Sequence, residues 1–240
     1  MNAIQATADS ASLAPARPLF VRRPEMLVFV ALTILCSGPV LFGTVWNAMI
    51  FQPAAVQGGE WWRLVTHPFV HVTWYHLLLD ASAFFLLYHG LLEGSVARRL
   101  AFVFGSAAGS LLFSWLAAPA IETHGLCGLS GIAHGLTAIS AVELMANQPR
   151  NSTEWRVGAF TLALVVGKGV YEAITGHILF GFLYFGMVGH PVSVSHTGGI
   201  VGGLLAMLLT RSSLSGGKGK TPLVEPRLEI ESASAGSVGA

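Results

Sequence analysis

The stretch Cys127–Leu136, CGLSGIAHGL, combines a hydroxyl, an imidazole and three glycines within ten residues of a very apolar chain. Gly131 and Gly135 are four residues apart, the spacing that lets two helices in a membrane approach closely. Ser130 beside them can be a small packing residue, or it can be a nucleophile that works inside a membrane. The surrounding sequence decides between these two roles.

Composition identifies a membrane protein with several spans. Of the 240 residues, 53% are hydrophobic and 10% are charged, and the mean hydropathy is +0.64, whereas soluble domains carry about 25% charged residues. No basic run with interleaved aromatic residues occurs, which argues against a nucleic-acid partner. Two cysteines, Cys36 and Cys127, provide no disulfide framework. No phosphate-binding glycine loop of the G-x-x-x-x-G-K-[ST] type is present, which argues against ATP-driven transport.

Six segments have the length of a membrane-spanning helix, which needs about 20 mostly apolar residues. The predicted spans cover residues 26–46, 73–92, 100–118, 129–146, 157–175 and 194–210. The apolar, glycine-rich stretch between the last two spans is interpreted as a loop that dips into the membrane. The sequence therefore predicts an all-α polytopic membrane domain over residues 26–211, between polar tails (1–25 and 212–240) that we expect to be disordered.

Positive charge predicts the orientation of the spans. If the N-terminus is cytoplasmic, every Lys and Arg except Arg63 and Lys168 falls in a tail or a loop on the cytoplasmic side. Arg63 then lies outside and Lys168 lies within the fifth span. Because cytoplasmic loops carry an excess of Lys and Arg, both termini are predicted to be cytoplasmic.

This orientation gives four polar residues a similar depth. His76 and Asp80 fall in the outer half of the second span, while Ser130 and His196 fall at the outer ends of the fourth and sixth spans. Polar residues within spans are costly and usually face the interior of the bundle or a water-filled cavity. We therefore expect one polar site in the outer leaflet, built by three helices.

The segment His196–Gly203, HTGGIVGG, gives the sixth span a face of small residues. Gly199 and Gly203 repeat the spacing found in the fourth span, so these two helices can approach closely. A Ser/His dyad needs its hydroxyl and imidazole within hydrogen-bond reach. Close packing of the two spans would allow Ser130 and His196 to meet that requirement.

Three motifs together resemble the signatures of rhomboid intramembrane serine proteases. They are GLSG around Ser130, HTGGIVGG beginning at His196, and HPFVHVTWYHLLLD over His67–Asp80. The last resembles the second-helix pattern of spaced histidines that ends in H-x-x-x-N. The likeness covers residues 26–210, with the motifs in the family's order. The form GLSGIAHGL also resembles the rhombosortase branch, whose substrates carry a C-terminal Gly-Gly-type membrane anchor.

The resemblance implies a rhomboid-like six-helix bundle that acts as an intramembrane serine endopeptidase near the outer face. Ser130 would be the nucleophile and His196 the general base, without a third acidic member and without a metal or other cofactor. Its expected partners are transmembrane protein substrates and the lipid bilayer, and no nucleic acid. We expect a multi-pass protein of the bacterial inner membrane.

The oxyanion pocket is where this chain departs from the family. The resemblance assigns His76 to that pocket, and the backbone N–H of Ser130, between Gly128 and Gly131, is another candidate donor. Asp80 stands where the family has Asn, and an ionised carboxylate there would repel an oxyanion. Asp80 can be protonated, can pair with His76 at i,i+4, or can face away. Pairing is favoured because the two residues share a helical face.

Two further features concern the helices around Ser130. His134 stands where rhomboids commonly carry a Tyr that stacks on the base histidine. Support of His196 by stacking or hydrogen bonding and a helix contact unrelated to chemistry both remain open. Lys168 and Glu172 are expected to form an ion pair inside the fifth span, since they also have i,i+4 spacing.

Two alternative functions remain. His71, His76, His134 and His196 can converge on a metal or a haem, because imidazole is a common ligand. No HExxH or CxxC pattern supports that alternative, and it leaves the GLSG serine without a role. The second alternative is an inactive rhomboid-like protein that binds transmembrane clients, which the acid in the oxyanion pocket keeps open.

Overall fold

The structure is a computed structural model that describes residues 23–183 and 185–215, without the side chains of residues 183 and 211–215. Within these residues nine α-helices occur and the only β-pairing is one isolated bridge, between Phe51 and Leu126. In chain order the helices are α1 (Glu25–Ser37), α2 (Pro53–Gln57), α3 (Arg63–Thr66), α4 (Trp74–Gly90), α5 (Val96–Ala117), α6 (Ile121–His124), α7 (Ser130–Asn147), α8 (Thr153–Thr175) and α9 (Val194–Ser215). The predicted all-helical class is confirmed for the described residues.

Each of the six predicted spans contains a helix, but fewer helices have the composition of a span. Within the described residues three are long and apolar enough to cross a membrane, namely Glu25–Phe42, Val96–Ala117 and Thr153–Thr175. A fourth results if Arg63–Phe69 and α4, which meet at a bend of 96°, are counted as one span. The number of six spans and the cytoplasmic termini therefore stay predictions.

Helix α7 has a weaker apolar character because it is the central helix. Helices α4, α5, α8 and α9 all pack against it. Only the surface that faces lipid must be apolar, so a helix enclosed by protein can carry polar groups that find partners. Glu143 of α7 is an example, since its carboxylate accepts hydrogen bonds from the backbone N–H groups of Leu92 and Glu93 at 2.8 and 3.1 Å.

Glycines bring α9 into backbone contact with α7. A Cβ added to Gly199 would collide with the carbonyl oxygen of Gly131, and one added to Gly203 would lie 3.3 Å from the Cα of Gly135. These are the glycines whose spacing indicated helix packing in the sequence. Their contact brings the N-terminal ends of the two helices together, where Ser130 is located.

A second glycine contact joins α9 to α5. A Cβ added to Gly198 would collide with the carbonyl oxygen of Gly109, and one added to Gly202 would collide with that of Gly105. Gly105 and Gly109 have the same four-residue spacing, in the sequence GSAAG, although they were not among the predicted packing glycines. Helix α9 is thus held between two helices by two separate glycine faces.

A polar network fastens the end of the bundle opposite to Ser130. Glu25 at the start of α1 forms an ion pair with Arg99 of α5, and the Tyr88 hydroxyl of α4 donates to the same carboxylate at 2.9 Å. Arg99 is buried. Because a buried charge is tolerated only when it is paired, this network fixes α1 against α4 and α5.

The predicted boundaries of the membrane domain differ slightly from the helices. Helix α1 begins at Glu25, one residue before the predicted start, and α9 continues to Ser215, beyond the predicted end at 211. Arg23 of the predicted N-terminal tail donates to the carbonyl oxygen of Leu91. The disorder expected for residues 1–22 and 216–240 concerns residues that lie outside the described part of the chain.

Candidate active site

Three helices begin at the same end of the bundle and carry the polar residues that the sequence indicated. Thr73 caps α4, because its hydroxyl oxygen accepts a hydrogen bond from the backbone N–H of His76 at 3.0 Å. A cavity of about 260 Å³ lies between the helix ends, and its lining includes His76, Asp80, Ser130 and His196. The structure therefore brings residues of α4, α7 and α9 to one cavity.

The loop between α8 and α9 lies over this cavity. Within its described residues it has only one short 3₁₀ turn. The Thr73 hydroxyl donates to the carbonyl oxygen of Met187, and the Phe185 N–H donates to the Tyr75 hydroxyl at 3.2 Å. The apolar stretch that we interpreted as a membrane-dipping loop is thus attached to the start of α4, beside the cavity.

Ser130 and His196 form the first contact of the site. The distance between Ser130 Oγ and His196 Nε2 is 3.3 Å, and the His196 side chain is buried. Catalytic hydrogen bonds are often long before substrate binds. The contact requires the close approach of α7 and α9, which the glycines permit.

Glu172 of α8 also contacts His196, for which no acidic partner was predicted. Its Oε2 lies 2.7 Å from His196 Nδ1, and its Oε1 lies 2.7 Å from Lys168 Nζ. The expected ion pair between Lys168 and Glu172 is therefore present. It is part of a larger group that includes the imidazole of His196.

His134 stacks on His196 and bridges to two other residues. The ring centroids are 3.9 Å apart with an angle of 13° between the ring planes. His134 Nδ1 lies 2.8 Å from the carbonyl oxygen of Ser130, and its Nε2 lies 2.9 Å from Lys168 Nζ. Because the carbonyl can only accept and the ammonium can only donate, Nδ1 carries the proton and Nε2 accepts. His134 is thus a neutral ring in this arrangement.

Asp80 points into the site rather than away from it. Its Oδ2 accepts a hydrogen bond from the backbone N–H of Ser130 at 3.0 Å. The same oxygen lies 3.1 Å from His76 Nε2 and 3.6 Å from His71 Nε2. The pair with His76 corresponds to the favoured alternative, whereas the contact with the Ser130 amide was not expected. That amide was a candidate oxyanion donor, and here it is engaged by a carboxylate.

Gly128 fits between Asp80 and His76 because it has no side chain. Its φ of 102° lies in the left-handed region, and an added Cβ would lie 2.9 Å from both Asp80 Oδ2 and His76 Nε2. Its N–H donates to the carbonyl oxygen of His67 at 3.2 Å. The turn before α7 therefore depends on glycine at this position.

The four histidines of the metal alternative do not form one cluster in the described part of the chain. They divide into two groups with metal-compatible spacing, namely His71 with His76 and Asp80, and His134 with Glu172 and His196. The ammonium of Lys168 lies within hydrogen-bond distance of both His134 and Glu172, so its charge would repel a metal ion from the second group. The first group leaves His71 Nε2 buried without a hydrogen-bond partner. The metal alternative is thereby confined to the first group.

The sequence around the site matches the model of one known protein family. The model of the Rhomboid domain family matches residues 58–213, which is more than half of the chain and includes all three motifs. The chain belongs to the rhomboid family. Since rhomboids are membrane proteins and the apolar helices agree with that environment, this rhomboid is an integral membrane protein.

One curated relative of this rhomboid is Rhomboid-like protein 11, chloroplastic, from Arabidopsis thaliana. The two are 31% identical over 156 residues, covering 63% of this chain and 53% of the relative. The chain thus spans about half the length of the curated relative that it matches. No solved structure matches this rhomboid.

Lys168 and Glu172 were predicted only as a separate ion pair, and their contacts with His196 were not predicted. A signal was available, because two ionisable residues inside a predicted span are rare and are usually functional. Their spacing predicted only that they meet each other. Which face of α8 turns toward α9 is a property of the packed helices in this rhomboid.

Proposed function

We propose that this rhomboid is an intramembrane serine endopeptidase with Ser130 as nucleophile and His196 as general base. The observation that carries the proposal is the 3.3 Å contact between Ser130 Oγ and His196 Nε2 at a cavity. Membership of the rhomboid family supports the same reaction class. The cavity supplies space for a segment of substrate and for the water that hydrolysis consumes.

The proposed reaction has two steps. In acylation, His196 Nε2 takes the hydroxyl proton while Ser130 Oγ attacks the scissile carbonyl, and the tetrahedral intermediate then collapses as the imidazolium protonates the departing amine. In deacylation, His196 takes a proton from water, which attacks the acyl-enzyme, and the proton returns to Ser130 Oγ. The products are a new carboxyl terminus and a new amino terminus.

The oxyanion formed in each step needs hydrogen-bond donors. The first turn of α7 offers backbone N–H groups and the positive end of the helix dipole. His76 Nε2 lies 3.1 Å from Asp80 Oδ2, the same oxygen that accepts from the Ser130 amide. The Asp80 carboxylate has to leave the Ser130 amide before that amide can donate to an oxyanion.

Transmembrane proteins with a C-terminal Gly-Gly-type anchor are the proposed substrates, and the bacterial inner membrane is the proposed location. The motif GLSGIAHGL supports this assignment through its likeness to the rhombosortase branch. Cleavage would take place near the outer face, where Ser130 lies if the predicted orientation is correct. Processing of a Gly-Gly-anchored reporter, compared with a single-span reporter that has an unrelated anchor, tests the substrate class.

Covalent labelling with a fluorophosphonate tests the reaction class. The full chain in membranes is compared with the site variants Ser130→Ala and His196→Ala. Two control variants, Ser82→Ala and His89→Ala, remove the same types of side chain outside the site, in α4. We expect labelling of the wild type and both controls, and loss of labelling in the two site variants. Labelling that survives Ser130→Ala would overturn the proposal.

The same experiment separates the two alternatives. An inactive client-binding protein would not react with the fluorophosphonate and would not cleave either reporter. A protein that depends on a metal would lose its activity on treatment with a chelator, whereas the proposed protease retains it. Both the labelling and the reporter cleavage are therefore measured with and without chelator.

A further inference from the structure

Glu172 is a fully buried acid, and hydrogen-bond donors surround it. Its side chain has no exposed surface. Oε1 accepts from Lys168 Nζ at 2.7 Å and from the backbone N–H of Leu179 at 3.1 Å, while Oε2 faces His196 Nδ1 at 2.7 Å. A buried carboxylate persists in a low-dielectric interior only with such compensation. The ammonium of Lys168 provides the positive charge that compensates the buried carboxylate.

The carboxylate determines which nitrogen of His196 carries the proton. An ionised carboxylate can only accept hydrogen bonds, so Nδ1 of His196 must be the donor. In neutral imidazole the lone pair then lies on Nε2, which faces Ser130 Oγ at 3.3 Å. Lys168 Nζ also lies near Nδ1, but its distance of 3.4 Å is longer than the 2.7 Å of Glu172 Oε2, so the carboxylate is the closer partner. The other tautomer would set a lone pair against the carboxylate and leave no base beside the hydroxyl.

We propose that Glu172 is a third member of the catalytic group, a positioning residue that holds His196 in the tautomer and orientation of a general base. This inference rests on the proposed function of Ser130 and His196. During acylation the Ser130 proton moves to Nε2 and His196 becomes an imidazolium. Glu172 keeps its charge, the proton on Nδ1 stays on that nitrogen, and the carboxylate stabilises the new positive charge.

Lys168 and His134 complete the surroundings of the proposed triad. Lys168 Nζ bonds both Glu172 and His134 Nε2, and the neutral His134 ring stacks on His196. The side chain of Lys168 therefore neutralises Glu172 before the reaction starts. The ring of His134 covers one face of His196 without adding a second positive charge. Both residues act on His196 rather than on the substrate.

Glu172 also connects the base to the loop over the cavity. Leu179, near the start of that loop, donates its N–H to the carboxylate, and the Ser193 hydroxyl at its end donates to the carbonyl oxygen of Glu172 at 3.2 Å. Removing the whole side chain would release part of this loop as well as His196. A test of the proposed role therefore needs substitutions that preserve size.

The test measures the kinetics of fluorophosphonate labelling of the full chain, separating the maximal inactivation rate from the probe affinity. We expect Glu172→Gln to lower the maximal rate by about 10²–10⁴-fold with unchanged probe affinity. The amide group would donate to Nδ1 and move the proton to Nε2. Glu154→Gln removes an exposed acid from the same helix and should label at the wild-type rate.

Two more variants distinguish positioning from a structural role. Lys168→Met combined with Glu172→Gln removes both charges together, so no unpaired ammonium remains, and the double variant should still be slow. Glu172→Asp keeps the charge on a shorter side chain and should label at a rate between those of the wild type and Glu172→Gln.

The outcomes separate this inference from the proposed function. A wild-type maximal rate in Glu172→Gln, or recovery of the wild-type rate in the double variant, would overturn the role of Glu172. If labelling still depends on Ser130 in that case, the proposed protease function stands with a dyad alone. Labelling that is independent of Ser130 would remove both proposals.

Discussion

The carboxylate of Asp80 accepts a hydrogen bond from the backbone N–H of Ser130, with 3.0 Å between Oδ2 and N. Asp80, the residue that departs from the rhomboid pattern, thus contacts the backbone of Ser130, the proposed nucleophile. The Asp80 carboxylate already occupies the position in which the oxyanion of the tetrahedral intermediate would accept a hydrogen bond from that amide. The negative charge of Asp80 would repel the negative charge of the oxyanion, so Asp80 is expected to slow the reaction.

Asp80→Asn should therefore retain or raise activity. The amide side chain has no charge and can still pair with His76, so the gain should reach up to about tenfold, equivalent to 1.4 kcal/mol in the barrier. Fluorophosphonate labelling and reporter cleavage measure the change. Asp80→Ala is the comparison, because it removes both the charge and the hydrogen-bonding group. Complete loss of activity in Asp80→Asn would indicate that the charged pair with His76 is required.

Gly199→Ala should destabilise the bundle and disrupt the site. The new Cβ would collide with the backbone carbonyl oxygen of Gly131, which cannot move without separating α7 and α9. Overpacking of this kind costs about 1–3 kcal/mol or more. The thermal unfolding temperature in detergent and the extent of fluorophosphonate labelling should both fall.

Gly167→Ala is the matched control for that variant. Gly167 lies within α8, and a Cβ added there would meet no atom within 4 Å. Alanine also favours a helix more than glycine does, so stability should be unchanged or higher. Equal behaviour of the two alanine variants would contradict the close contact of α7 and α9.

His134→Tyr should preserve most of the activity, whereas His134→Ala should not. An aromatic ring at this position can still stack on His196, and such a contact contributes about 0.5–1.5 kcal/mol. We expect labelling within about threefold of wild type for Tyr and about tenfold lower for Ala, which is 1.4 kcal/mol. If both variants lose activity equally, the hydrogen bonds of His134 matter more than its ring.

Cys127 should resist alkylation at neutral pH. Burial and the nearby carboxylate of Asp80 raise the pKa of its thiol to about 12, so the reactive thiolate is scarce. In a Cys36→Ala background, maleimide should react at pH 7.5 roughly 10³-fold more slowly than with a free cysteine. The rate should still be rising above pH 10. Rapid reaction in SDS is the control, and a plateau near pH 8.5 in the folded protein would contradict the shift.

The local parts of the site could be predicted from spacing alone. A helical turn places residues four apart on one face, so the pairs of His76 with Asp80 and of Lys168 with Glu172 follow from the sequence. The six helical segments follow from their apolar composition. The glycines of α7 and α9 follow from the four-residue spacing that close helix contact requires.

Contacts between helices could not be predicted in the same way. The sequence made Glu172 the partner of Lys168, and it did not reveal that the same carboxylate reaches His196. The sequence also offered three roles for Asp80 and did not include its bond to the Ser130 amide. The rotation of each helix about its axis decides such contacts, and only the packing of all the helices fixes that rotation.

The sequence by itself determined an all-helical membrane protein, its rhomboid motifs and the residues that would meet within one helix, because apolarity and helical pitch are local properties. The tertiary structure alone decided that Glu172 and His134 surround His196 and that Asp80 contacts Ser130. The physical reason is that helices pack as a set: glycine contacts lock α9 against both α5 and α7, while α4 and α8 pack against α7. The packing of all these helices sets the depth and the rotation at which side chains from separate helices meet.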